Sequence, residues 1–176
     1  IENYLLAAEE LAERGYYVFR MGKIVSTKMN STNPKIIDYA NLRERSDFLD
    51  IYIAYKCKFC IRTAGFGGIT QIFRKPSIYI EGPAADLTAE DPNSLLLLPN
   101  YYLIKEKKKL SLSEIFKLGV DDIRYSKGYE NLGVEVQQNT KEEIRDVVIE
   151  MEERLSGSWK SDKEDISLQN FFLEIF

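Results

Sequence analysis

The 176 residues contain no histidine, and that absence excludes more chemistry than any other feature of the chain. Without an imidazole there is no Ser-His or Cys-His nucleophile and no histidine general base. Any proton transfer must use Asp, Glu, Lys, Tyr or a group from elsewhere. Cysteine is nearly absent too. Its two residues form Cys57-Lys-Phe-Cys60, but a structural zinc site takes about four ligands, and no third cysteine exists to help complete one. A redox pair of this spacing draws its reactivity from a helix N-terminus. Here the helical pattern precedes the pair and a strand pattern follows it, so two ordinary buried thiols are expected.

A basic surplus is also missing. The chain carries 24 Lys and Arg against 28 Asp and Glu, a net charge of −4. Nucleic-acid binders show a basic excess or stripe, so no nucleic-acid partner is expected. The one concentration, Lys105 to Lys109, reads as a solvated loop or strand edge. Acidic clusters are no more persuasive. Asp121-Asp122 follows a helix stop and reads as solvated, and Asp86, Glu90 and Asp91 lack the alternating spacing of a calcium loop. Neither a metal site nor a cofactor is expected.

No apolar run approaches the ~20 residues that cross a bilayer. The longest, Leu95 to Leu98, continues through Pro99 and Asn100 into Tyr101–Ile104 and reads as a buried strand. The first residues follow a helical pattern carrying Glu2, Glu9 and Glu10, unlike a signal peptide. A cytoplasmic protein without a membrane span is the expectation. The chain opens on Ile, so it reads as a piece of a longer protein whose site could be shared with a missing part.

What is present describes one folded domain over residues 1–176, with 44% hydrophobic and 30% charged residues, ordinary values for a packed core. Tyr4, Leu5, Ala8, Leu11 and Ala12 recur at helical spacing before Gly15. Short strands are predicted at Tyr16–Arg20, Lys35–Tyr39, Lys58–Arg62, Pro76–Ile80 and Leu95–Leu98. A helix from the N-cap Ser46 to about Tyr55 and a segment Ile69–Phe73 lie between them. Ser111–Glu114 and Thr140–Glu143 are capping boxes, and the helices behind them stop at Gly119 and Gly157. A short helix within 160–176, carrying Leu168, Phe171, Phe172 and Ile175, is expected to pack back onto the domain. This alternation predicts an α/β fold: a Rossmann-like parallel sheet with helices on both faces.

Ligands of open parallel sheets bind beyond the carboxyl ends of the strands. Three predicted strand ends carry suitable residues. Arg20, Gly22 and Lys23 follow the first strand, and Asp38 and Tyr39 end the second. Thr63-Ala64-Gly65-Phe66-Gly67-Gly68 follows the third and leads into a helix. Glycines there would let a phosphate approach backbone N–H groups at a helix dipole; a tight strand-to-helix turn that simply needs glycine explains them equally. The segment matches neither a dinucleotide fingerprint nor a Walker A loop. Arg20 can grip a phosphate with two bonds and Lys23 adds a mobile charge. Each alone reads as a surface cation.

The succession Tyr17-Val-Phe-Arg-Met-Gly22, Ile37-Asp-Tyr-Ala40, Ser46-Asp-Phe-Leu-Asp50, Thr63-Ala-Gly65 and Phe73-Arg-Lys-Pro76, with Asn139-Thr-Lys-Glu-Glu-Ile144 further on, resembles a bacterial family of glycosyltransferases. The resemblance spans about Tyr16 to Trp159. It implies the C-terminal, donor-binding half of a GT-B-type enzyme that transfers a sugar from a nucleotide-sugar to an acceptor without a bound metal. Arg20, Gly22 and Lys23 would then meet the diphosphate. Thr63, Ala64, Gly65, Phe66, Gly67 and Gly68 would cradle it, and Asp38 and Tyr39 would lie near the base or ribose. Such enzymes often carry Ser where this chain has Ala64. An N-terminal acceptor-binding domain would be the missing partner. A non-catalytic nucleotide- or anion-binding module and an epimerase-like enzyme are the alternatives.

Overall fold

The computed structural model describes residues 1–63, 68–82 and 93–175. Helix α1 (Leu5–Glu13) turns Ala7, Ala8, Leu11 and Ala12 inward as one stripe. It ends ahead of Gly15, whose φ of 99° is a conformation that glycine adopts without a side-chain clash. Strand β1 (Val18–Phe19) then pairs in parallel with β2 (Ile36–Ile37), Val18 opposite Ile36. Helix α2 (Asp47–Lys56) starts at Ser46, whose side chain accepts a hydrogen bond from the Leu49 amide at 3.2 Å. Asp47 and Asp50 oppose the helix dipole in its first turn. Strands β3 (Cys60–Arg62), β4 (Ser77–Ile80) and β5 (Leu95–Leu97) form a second parallel sheet, with α3 (Gly68–Ile72) between β3 and β4. The chain is therefore a mixed α/β fold with parallel sheets and helices.

Three features differ from the expected single parallel sheet. Its strands fall into two sheets, β1-β2 and β3-β4-β5, among the described residues. The run expected to continue from Leu95 to Ile104 is two strands, because Pro99 has no amide hydrogen with which to extend a ladder. Beyond it β6 (Asn100–Leu103) joins a different, antiparallel sheet between β7 (Lys108–Lys109) and β8 (Val134–Gln137). Residues 104–107 turn β6 directly into β7, far too short a connection for the crossover that parallel strands require. Lys108 and Lys109 occupy an exposed edge strand, as the lysine run implied.

Both capping boxes form. Ser111 opens α4 (Leu112–Lys117) and Thr140 opens α6 (Lys141–Ser156), and Gly119 and Gly157 follow these helices in left-handed conformations. Helix α5 (Ser126–Leu132) was not anticipated. Asp122 is exposed, but Asp121 is half-buried and its Oδ1 is buried without a hydrogen-bond partner, so the pair is not simply solvated. The main core joins Ala7 and Leu11 of α1, Ile78 and Ile80 of β4, and Ile144, Val148 and Met151 of α6. Each large apolar side chain buried this way contributes about 1.5–3 kcal/mol. A second core, Tyr101, Leu110, Ile115, Val120 and Val134, lies beside the antiparallel sheet. Helix α7 (Lys163–Ile175) leaves Ile166 53%, Leu168 60% and Phe171 51% exposed. The expected packing of this helix onto the domain does not hold for those side chains. No helix among the described residues is long and apolar enough to cross a membrane.

Candidate functional site

A cleft of about 690 Å³ separates β1 from β3 and reaches α1 and α2. Its position follows from the hydrogen bonding of the two strands. The Val18 and Arg20 amides donate to Lys35 and Ile37 carbonyls beside β2, at 2.8 and 2.9 Å, and the Cys60 amide donates to the Pro76 carbonyl beside β4 at 3.0 Å. The other edges of β1 and β3 border the cleft. The two sheets still share a core: Val18 and Ile61 pack on the same cluster, and the Tyr16 and Phe59 rings meet edge to face at 6.4 Å. Four cations, Arg20, Lys56, Lys58 and Arg62, line the cleft, and no carboxylate does so among the described residues. Arg20 is balanced by a carboxylate behind the lining, and the cationic side chains that face the cleft contrast with the net charge of −4 of the whole chain.

Arg20 and Asp38, expected to serve different parts of a ligand, form an ion pair with each other at 3.2 Å. Their side chains are 11% and 19% exposed. The Arg20 Nη1 also donates to the Thr27 carbonyl. Asp38 accepts further bonds from the Met29 amide at 2.9 Å and the Asn41 side chain at 2.7 Å. Burial alone would raise the Asp38 pKa, but the Met29, Asn41 and Arg20 donors outweigh it and hold the carboxyl below its ordinary range. The pair thus closes the long connection between β1 and β2. Glu9 of α1 fastens the same connection further along, accepting from Ser31 and from Asn33.

The other expected residues divide. Tyr39 is buried, and its hydroxyl donates to the Ser46 carbonyl and accepts from the Ser46 amide, so it supports the start of α2. Gly22 has φ 151°, and a Cβ there would stand 2.9 Å from Val25 Cγ1; the turn after β1 requires glycine. Lys23 is exposed. Thr63 is exposed and lines the cleft, and Gly68 opens α3. Ala64, Gly65, Phe66 and Gly67 lie outside the described residues, as do Asp86, Glu90 and Asp91.

Several residues escaped the sequence reading. Arg62 lies over the Tyr79 ring, 4.4 Å from its centroid, and its Nε donates to Ser77 Oγ at 3.3 Å. Its place as the last residue of a strand before a glycine turn was the available signal. Glu81, just past β4, has φ 59° and an Oε1 buried without a hydrogen-bond partner, and burial raises its pKa. Burial, with the Glu81 charge behind it, pushes the nearby Tyr4 hydroxyl up to about 12. Tyr4 lines the cleft. Cys57 and Cys60 line it as well and are free thiols. Burial, then the neighbouring Cys60, pushes Cys57 up to about 11, and burial raises Cys60. Such thiols are poor nucleophiles at neutral pH. Among the described residues, no group of three or more Cys, Asp or Glu could hold a metal ion.

Compared with known family models, curated proteins and solved structures, the chain matches none.

Proposed function

We propose that this chain is the donor-binding half of a glycosyltransferase, with the nucleotide-sugar held in the cleft between β1 and β3. A separate acceptor-binding half would supply the catalytic base. The carrying observation is a cleft with four cations and no described carboxylate, in a chain that is acidic as a whole. Such a lining favours an anion of two or more charges. Its volume suits a nucleotide-sized ligand.

The strand arrangement supports the same reading. In this reading the two separate parallel sheets, β1-β2 and β3-β4-β5, stand for the two sides of one doubly wound sheet of Rossmann-like type. The cleft between β1 and β3 would then mark the point where the strand order reverses, which is where such folds take their ligands. Arg20 and Arg62 would meet the diphosphate from opposite walls, with the Thr63 hydroxyl beside them. In this reading cations meet the phosphate charge. Asp38 and Tyr39 are committed to the protein's own loops, so base stacking falls to the exposed Tyr17 and Tyr52, which also line the cleft.

A second reading, a non-catalytic anion-binding module, is favoured by the lack of any His or described carboxylate in the cleft lining. An epimerase-like enzyme is less well served, since it needs acid and base groups inside the cleft.

Thermal melts against nucleoside diphosphates and nucleotide-sugars test the proposal. A ligand at about 100 times its Kd stabilises the native state by about 2.7 kcal/mol. For a chain of this size that corresponds to roughly 5–10 °C in Tm. One nucleotide should stand out, and Arg20→Ala should abolish its effect. No rise with any ligand at millimolar concentration would overturn the reading.

A further inference from the structure

The arginine at the end of β1 is held by one nitrogen. Arg20 Nη1 donates to the Thr27 carbonyl and to both Asp38 carboxylate oxygens, at 3.2 and 3.5 Å for the latter. Among the described residues its Nε and Nη2 carry no hydrogen bond to the protein, and neither is buried without a partner. Nε–H and the adjacent Nη2–H are the parallel side-on donors with which arginine takes two oxygens of one anion. Asp38 in turn is fixed by the Met29 amide and the Asn41 side chain, not by Arg20 alone.

We infer that Asp38 is a positioning residue. By gripping Nη1 it fixes the guanidinium so that the Nε–Nη2 fork is presented to the cleft, where it binds two oxygens of a phosphoryl or carboxylate group. This rests on the cleft being an anion site and gives Arg20 a specific geometry within it. It also reassigns Asp38 from a base or ribose contact to the alignment of an anion contact. The side chain at position 20 must then supply a fork and not merely a charge. Preorganisation explains the burial of the pair: a guanidinium already fixed loses less freedom when the ligand arrives.

The test is isothermal titration of the purified chain with inorganic pyrophosphate, succinate and a nucleoside diphosphate, in four forms: wild type, Arg20→Lys, Asp38→Asn and the double variant. Arg20→Lys keeps the charge and loses the fork, so pyrophosphate affinity should fall at least tenfold while the Tm stays near that of wild type. Asp38→Asn should weaken binding in the wild-type background and cost nothing further in the Arg20→Lys background. A merely structural role would add its cost in both. Succinate binding that follows the same pattern would assign the fork to a carboxylate ligand in place of a phosphoryl one.

Unchanged pyrophosphate affinity in Arg20→Lys would overturn the inference, as would equal costs of Asp38→Asn in the two backgrounds. If the nucleoside diphosphate still binds Arg20→Lys as tightly, the glycosyltransferase reading survives that loss. If pyrophosphate uses the fork but the nucleoside diphosphate binds no more tightly, the fork stands and the nucleotide reading falls. Should Asp38→Asn fail to fold, Asp38→Glu, which keeps the charge but displaces the carboxylate by one methylene, takes its place in both backgrounds with the same expected and overturning results. Absence of binding to wild type by every probe would overturn both.

Discussion

Glu143 joins three segments through one carboxylate. It accepts the Thr140 amide at 2.9 Å, Asn100 Nδ2 at 3.2 Å and Asn139 Nδ2 at 3.4 Å, with Lys109 Nζ at 3.9 Å. Burial by itself would raise its pKa, but the Thr140 amide, both asparagines and Lys109 outweigh that and hold it below the usual carboxylate value. A depressed folded-state pKa contributes stability above the unfolded value and loses it as the pH falls through the folded one. Glu143→Ala should therefore cost about 1–2 kcal/mol near neutral pH through the lost cap and stranded donors. The cost should shrink as the pH is lowered below about 4.5, the ordinary glutamate range. Thermal melts of both proteins from pH 7 to pH 3 check this; a constant difference would contradict it. The capping box was legible because it is a local spacing. Asn100, 43 residues away, was not, because nothing local couples the end of one sheet to the start of a helix.

At the scale of elements, caps and periodicity located the helices, while pairing was hidden. Ser46, Ser111 and Thr140 all cap as their spacing implies. Strand partners depend on what meets in space. A proline at position 99 and a four-residue turn after β6 decide that the chain leaves one sheet for another, and alternating apolar residues look the same in both. Helix α7 teaches a related lesson. An apolar pattern marks a face that can be buried, without saying what covers it, and here Ile166, Leu168 and Phe171 remain exposed. Leu168→Ala and Phe171→Ala should each change stability by less than about 0.5 kcal/mol. A loss of about 2 kcal/mol, which denaturant melts would resolve, is the signature of a buried side chain and would contradict the exposed placement.

For the molecule as a whole, the informative feature is a pattern of charge that the sequence disperses. Arg20, Lys56, Lys58 and Arg62 stand apart along the chain, and their convergence on one cleft appears only when β1 and β3 face each other. Strand-end position was enough to single out Arg20 and Thr63, and both line the cleft. The commitment of Asp38 to Arg20 was not visible, because the intervening connection had to fold first. The central claim is that an anionic nucleotide occupies the cleft between β1 and β3, and amide chemical shifts followed during titration with a nucleoside diphosphate test it most directly. Shifts concentrated at Val18–Arg20 and Cys60–Thr63, saturating together, are the predicted result. Saturating shifts that leave both of these segments unmoved, or no shifts at millimolar ligand, would contradict it.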